Sequence, residues 1–189
     1  MIPILKYLRF IFDRITLRRI SFLFFVFILS ILIGWYVGHL LYSSPKFSVH
    51  GNTANLPSFR KIFFNNYMIA IIIVFLGYLS GGIMTVFIII LNGFTTGYGI
   101  NYTDTSKLGG LAGITYKLIF HAPLELFALF LMGSIGLRGF DILKGIIKTN
   151  DFSNYKIVIS EQMVNQYFVG SILLLLAAFI EDLVIIFNK

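Results

Sequence analysis

Five long apolar stretches dominate this chain, with polar and turn-forming residues confined to the gaps between them. They cover roughly residues 20–42, 66–80, 83–98, 118–137 and 164–187. A bilayer core about 30 Å thick needs about 20 such residues per crossing. The second stretch is short on that scale and is expected to reach back through Phe63. In hydrocarbon every backbone polar group has to be satisfied within the segment, so each stretch is predicted to be a transmembrane helix. Ahead of them, residues 1–19 alternate apolar and basic character at helical spacing. Lys6, Arg9, Asp13 and Thr16 fall on one face, while Ile4, Leu8, Ile11 and Ile15 fall on the other. That pattern suits a helix lying in the membrane interface. The first apolar run exceeds the roughly 7–15 residues of a signal-peptide core and no A-x-A-like site follows it, so it is expected to be retained. The fold class predicted is an all-α membrane protein. An N-terminal interfacial amphipathic helix (1–19) precedes one polytopic helical domain (20–189) of five transmembrane helices.

The connections sharpen this picture. Residues 43–58 form a loop broken by Pro45, Gly51, Asn52 and Pro57. Phe59 to Phe64 is expected to run along the interface, and Gly81-Gly82 to hinge the second and third spans. Residues 100–117 are polar and glycine-containing. Residues 138–161 form a mixed loop with a short amphipathic helix through Ile142, Leu143, Ile146 and Ile147. Five crossings place the termini on opposite sides. Nine Lys and Arg fall on the N-terminal side and six on the other, which predicts the N-terminus inside.

Composition excludes several classes. The chain is 58% hydrophobic and 12% charged, with a mean hydropathy of +0.89, whereas soluble domains carry about 25% charged residues. The absence of cysteine rules out disulfides, thiolate metal sites and cysteine nucleophiles. A net charge of +7, spread over loops and the N-terminus, fits anionic lipid headgroups rather than nucleic acid. No phosphate-binding loop is present, so any ATP hydrolysis belongs to a separate subunit.

Candidate chemistry lies where ionisable residues interrupt the apolar stretches. His121 and Glu125 sit one helical turn apart in the fourth, and Glu181-Asp182 interrupts the fifth. Such groups cost about 2.5 kcal/mol or more each at membrane depth, so they face a protein interior and have partners. Alternation of the spans places His39, Asn65, Asn66, Asn92, His121, Glu125 and Glu181 in one half of the membrane, the outer half on the charge count. The inner half is expected to hold almost no comparable buried polar groups. His121 and Glu125, at i and i+4, share a helix face. With Glu181 they would make a His/Glu/Glu set able to hold zinc with a position open for water, and to hydrolyse or transfer an acyl group. Without metal, the same residues would act as a general base or proton relay. The plainer alternative is a satisfied polar contact that fixes helix register, since H-x-x-x-E is not a diagnostic spacing. Asn65 and Asn66 are candidates to bind a substrate amide. Asn92, inside a span and before Gly93, is a candidate catalytic residue. Asp182 is read as an interfacial charge, and His39 and His50 as interface and loop residues. Gly77-x-x-x-Gly81, Gly93-x-x-x-Gly97, Gly133, Gly136 and Gly139 match small-residue packing faces.

The order Phe59-x-x-Ile62-x-x-Asn65-Asn66, Gly77, Asn92-Gly93-x-x-x-Gly97, His121-x-x-x-Glu125-Leu126, Gly133-x-x-Gly136-Leu137 and Ala177-Ala178-Phe179-Ile180-Glu181 resembles the stage II sporulation protein M family. The resemblance covers nearly all of the chain from the first span onward. It implies a small multi-pass protein of the bacterial cytoplasmic membrane. The family's namesake works with cell-wall-degrading partners during engulfment. Other members accompany circular bacteriocins in maturation, export or self-protection. The expectation drawn is a membrane subunit for leader cleavage or cyclisation and export of a peptide, working with a membrane partner and a separate ATPase. Whether it is itself an intramembrane peptidase or peptide ligase stays open, as do a non-catalytic immunity or export role, a scaffold for cell-wall enzymes, and homo-oligomer formation.

Overall fold

The computed structural model describes residues 7, 9–41, 59–102, 122–149 and 159–187. They form helices α1 (Arg14–Leu41), α2 (Phe59–Leu79), α3 (Ile83–Tyr102), α4 (Ala122–Gly136), α5 (Arg138–Thr149) and α6 (Glu161–Phe187). Five helical segments are long and apolar enough to cross a membrane, the fourth beginning at Ala122 and continuing through Leu137 into α5. The expected all-α, multi-pass architecture is therefore what the chain adopts. His121, His50, the predicted 43–58 connection and residues 103–117 of the predicted 100–117 connection lie outside the described residues, while residues 100–102 continue α3 instead of opening that connection. We call the end where α1 begins proximal and the opposite end distal.

Two boundaries differ from the pattern-based reading. Helix α1 starts at Arg14 rather than near residue 20, because Asp13 caps it. The Asp13 carboxylate accepts the Thr16 N–H at 2.8 Å, satisfying a donor that the first turn otherwise leaves free. Residues 9–11 form a separate helical turn before that break. Residues 14–19, assigned by periodicity to an interfacial helix, thus continue into the first span. With 28 residues, α1 is about 42 Å long at 1.5 Å per residue, longer than a hydrocarbon core of about 30 Å. Its first turns carry Arg14, Arg18 and Arg19, ahead of the apolar run that starts at Ile20. Likewise, α2 begins at Phe59, so the segment expected along the interface is its opening turns.

Lipid tails are as apolar as leucine, so close contact and interhelical hydrogen bonds hold such a bundle together rather than a hydrophobic push. Helix α4 is the hub. It packs against α1, α2 and α6, and every residue from Ala128 to Gly136 is buried. Gly133 meets Leu23 of α1, and Gly136 meets Thr85 of α3 and the Ile73 carbonyl of α2. Thr85, fully buried, donates its hydroxyl to that same Ile73 carbonyl at 3.0 Å. The Tyr67 and Tyr167 hydroxyls join α2 to α6 at 2.7 Å.

Helices α1 and α3 run parallel and in intimate contact. The buried positions of α1 (Thr16, Ile20, Leu23, Phe27, Ser30, Gly34 and Gly38) recur every three or four residues along one face. Gly93 lies against Phe27 and Ser30, Gly97 against the Ile31 carbonyl, and Gly34 against the Phe94 carbonyl. The Gly93-x-x-x-Gly97 face thus packs as expected, with a matching small-residue face on α1. Gly81 has another role. With φ of +63° and +84° at Gly81 and Gly82, the α2–α3 turn occupies left-handed backbone that glycine enters without penalty. The Gly82 N–H bonds back to the Gly77 carbonyl at 2.7 Å and the Gly81 N–H to Tyr78, the Schellman pattern that ends a helix.

Candidate functional site

At the distal end, α4 and α6 pack together and each contributes one acid. Glu125 lies in the first turn of α4, where the helix dipole favours a negative charge. Glu181 lies near the end of α6, and both are half-buried. The two carboxyl groups are close enough to act on each other electrostatically. Two acids brought together at membrane depth call for a counter-charge, a shared proton or a hydrogen-bond donor. Such a pair can hold and release a proton for a bound substrate. His121, the third member of the expected set, falls just before the described start of α4. Among the described residues, no three His, Cys, Asp or Glu side chains gather closely enough to hold a metal ion.

The other sequence candidates are distributed unequally. Asn66 is half-buried and Asn65 exposed on α2, two turns in from its distal start. Helix α2 packs on both α4 and α6, so these asparagines share the distal end with the acids. Asn92 lies half-buried on α3. Its amide donates to the Ile88 carbonyl of its own helix at 3.1 Å, and α3 packs chiefly against α1 and α2. His39 is exposed at the distal end of α1 and stacks on Trp35, with ring centroids 5.8 Å apart. Such a stack of amphipathic rings is of the kind found at membrane interfaces.

The proximal end overturns the expectation of an inner half poor in polar groups. Arg138, the first residue of α5, donates through Nη1 to Ser160 Oγ at 3.1 Å and through Nη2 to Gln162 Oε1 at 2.5 Å and Gln166 Oε1 at 3.4 Å. Both glutamines then reach back to the N-terminal segment. Gln162 donates to the Phe10 carbonyl at 2.7 Å. Gln166, fully buried, donates to the Ile11 carbonyl at 2.8 Å and to Thr16 Oγ1 at 2.9 Å. The break before Asp13 exposes those carbonyls, and the glutamines satisfy them. Arg19 forms an ion pair with Asp141, tying α1 to α5. Periodicity did not single out this network because Arg138 counts only as a loop charge there and glutamines carry none. The available signal was Gln162-x-x-x-Gln166, an i, i+4 polar pair opening an otherwise apolar helix.

Asp13 belongs to this network. Burial pushes its carboxyl up, but the Thr16 hydroxyl and backbone N–H, Gln162 and the Arg138 charge together outweigh that and hold it below the usual value. A depressed carboxyl contributes stability that is complete above its unfolded pKa of about 3.9 and is lost as pH falls through the folded value. Asp13→Asn should therefore be less stable than wild type at neutral pH, with the difference shrinking as the buffer is taken below about pH 4. Thermal unfolding of both proteins across that range reads this directly. Asp13→Ala, which removes the cap outright, should cost about 1 kcal/mol.

No curated protein and no solved structure matches the chain. The sequence model for stage II sporulation protein M matches residues 23–184, a span that takes in the first membrane-crossing segment from residue 23 on, the next three up to residue 148, the fifth, and the distal acids. The chain belongs to the stage II sporulation protein M family.

Proposed function

We propose that the protein is an integral membrane subunit for the maturation and export of a peptide such as a circular bacteriocin. In this reading His121, Glu125 and Glu181 form an acid/base site at the distal end, taken to face the outer side of the cytoplasmic membrane in keeping with the excess of Lys and Arg at the other end. The observation that supports it is that Glu125 and Glu181, from two packed helices, lie within electrostatic reach of each other at one end of the bundle. Glu125 is the proton acceptor and Glu181 the group that shares or returns the proton, with His121 completing the set and Asn66 orienting a peptide amide. His121 with the two acids would also supply zinc ligands, and a separate membrane partner and ATPase would drive export.

The test uses cells that produce a circular bacteriocin with this protein as their only family member. Precursor and mature peptide are quantified in cells and medium for wild type, Glu125→Gln, Glu181→Gln and His121→Ala. Loss of general acid–base catalysis should slow maturation by about 100-fold or more, seen as accumulating precursor. Mature peptide retained inside the cells would instead assign the site to export. Unchanged secretion in all three variants would sink the reading and leave a scaffold or immunity role. Metal analysis of the same purified proteins separates the two chemistries: zinc present in wild type and lost in the variants marks a metal site.

A further inference from the structure

A second site lies at the proximal end and is independent of the carboxylate pair. Between α1, α3 and the α4–α5 elbow runs an open groove of about 670 Å³, walled by Phe22, Val86, Phe87 and Phe140 and closed at one end by the Arg19–Asp141 pair. Its volume falls within the roughly 300–1,000 Å³ of small-molecule sites. The same ion pair also borders a smaller polar recess of about 340 Å³ that contains Arg138, Asp13 and Gln162. Arg19 and Asp141 therefore stand as a partition between an apolar slot facing the membrane and a polar chamber at its edge.

The shape is that of an amphiphile: hydrocarbon along most of its length and charge at one end. Three observations select the sign of that charge. The Arg19 side chain is only 14% exposed while that of Asp141 is 61% exposed, so the guanidinium is held in place and the carboxylate is the partner that can be exchanged. Second, the described residues of the proximal end carry seven Lys and Arg against three Asp and Glu. Over the whole sequence the proximal side carries nine Lys and Arg against four Asp and Glu, and the distal side six against four, so the proximal end is the more positive. The third is depth. Arg19 lies in the second turn of an α1 longer than the hydrocarbon core, directly before the apolar run that starts at Ile20, where a lipid phosphate would be within its reach.

We propose that this groove binds an anionic glycerophospholipid, with an acyl chain along Phe22, Val86 and Phe87 and the phosphate on Arg19 in place of Asp141. Arginine matches the two oxygens of a phosphate with its planar fork.

The experiment incubates the purified full-length protein with equal amounts of phosphatidylglycerol and phosphatidylcholine of identical acyl chains, washes it, and quantifies retained lipid by mass spectrometry. Wild type should retain phosphatidylglycerol over phosphatidylcholine by about tenfold, the scale of a charge-assisted contact. Arg19→Gln should abolish the preference, and Val86→Trp, which fills the slot, should reduce retention of both lipids. Asp141→Asn frees Arg19 and should raise phosphatidylglycerol retention, an increase that misfolding cannot imitate. Equal retention of the two lipids by wild type would overturn the proposal. So would a loss of phosphatidylglycerol in Asp141→Asn as large as in Arg19→Gln, which would make the pair a structural strut only. A copurified peptide crosslinked at position 86 in place of lipid would likewise overturn it.

Discussion

Gly97→Leu is expected to destabilise the folded protein by about 3 kcal/mol or more, at the upper end of what overpacking costs. A Cβ at this position would run into the Ile31 carbonyl of α1. That obstacle is backbone, so no rotamer change relieves it and the two helices have to separate. Gly34 makes the reciprocal approach to the Phe94 carbonyl, so separation at one point loosens the other. Contacts across the whole α1–α3 seam would be lost, and in lipid those contacts are the stabilising term. Gly99, two residues on, meets nothing within 4 Å of an added Cβ, which makes Gly99→Leu the matched control. Unfolding of the purified proteins by denaturing detergent should separate them clearly. Equal stability of the two variants would show that the α1–α3 approach is not a determinant of the fold.

Gln166→Leu should have the next largest effect, about 2–3 kcal/mol. The replacement is similar in size and more apolar, so a simple count of buried area favours it. It nonetheless removes the donor to the Ile11 carbonyl and Thr16, and the acceptor for Arg138. Leaving a buried polar group without its partner costs about 1–3 kcal/mol each. The damage should be local, with the segment around Phe10–Asp13 released from α6 while the distal acids stay in place. Limited trypsin digestion distinguishes this from global unfolding, because cleavage at Arg9 and Arg14 should accelerate before cleavage elsewhere. Gln166→Glu retains an acceptor for Arg138 but loses both donated bonds, and should fall between wild type and leucine.

The crossings were legible because bilayer thickness imposes a length and backbone satisfaction imposes helix, whatever the side chains do. The acidic pair was legible for a related reason: an acid in an apolar stretch is conspicuous, and alternation of spans fixes which end it occupies. Helix ends were harder to read. Asp13 looks like one more polar residue on an amphipathic face, and only its bond to the Thr16 amide reveals that α1 starts there. Asn92 shows what a single span leaves out. An asparagine inside a span reads as functional, yet it has an acceptor one turn away in its own helix. Neither neighbour contacts nor side-chain direction can be read from a single span, and for Asn92 those two features determine its environment. The proximal network stayed hidden because its central members, Gln162 and Gln166, are uncharged and their partners are main-chain carbonyls.

The burial of α4 has a consequence for how the protein is made. Helices enter the membrane in chain order, so α1, α2 and α3 are delivered first. Helices α1 and α3 can close on each other at once, and α2 is tied to α3 by a two-glycine turn. The faces of α1 and α2 that finally meet α4, including Leu23 and Ile73, must wait uncovered until the fourth segment leaves the ribosome. The three-helix intermediate therefore has an open cleft facing lipid, and α4 enters it as a wedge. A pause in synthesis after residue 102 would prolong that exposure, and the waiting cleft is the natural point of attack for membrane proteases and the natural foothold for an insertion chaperone.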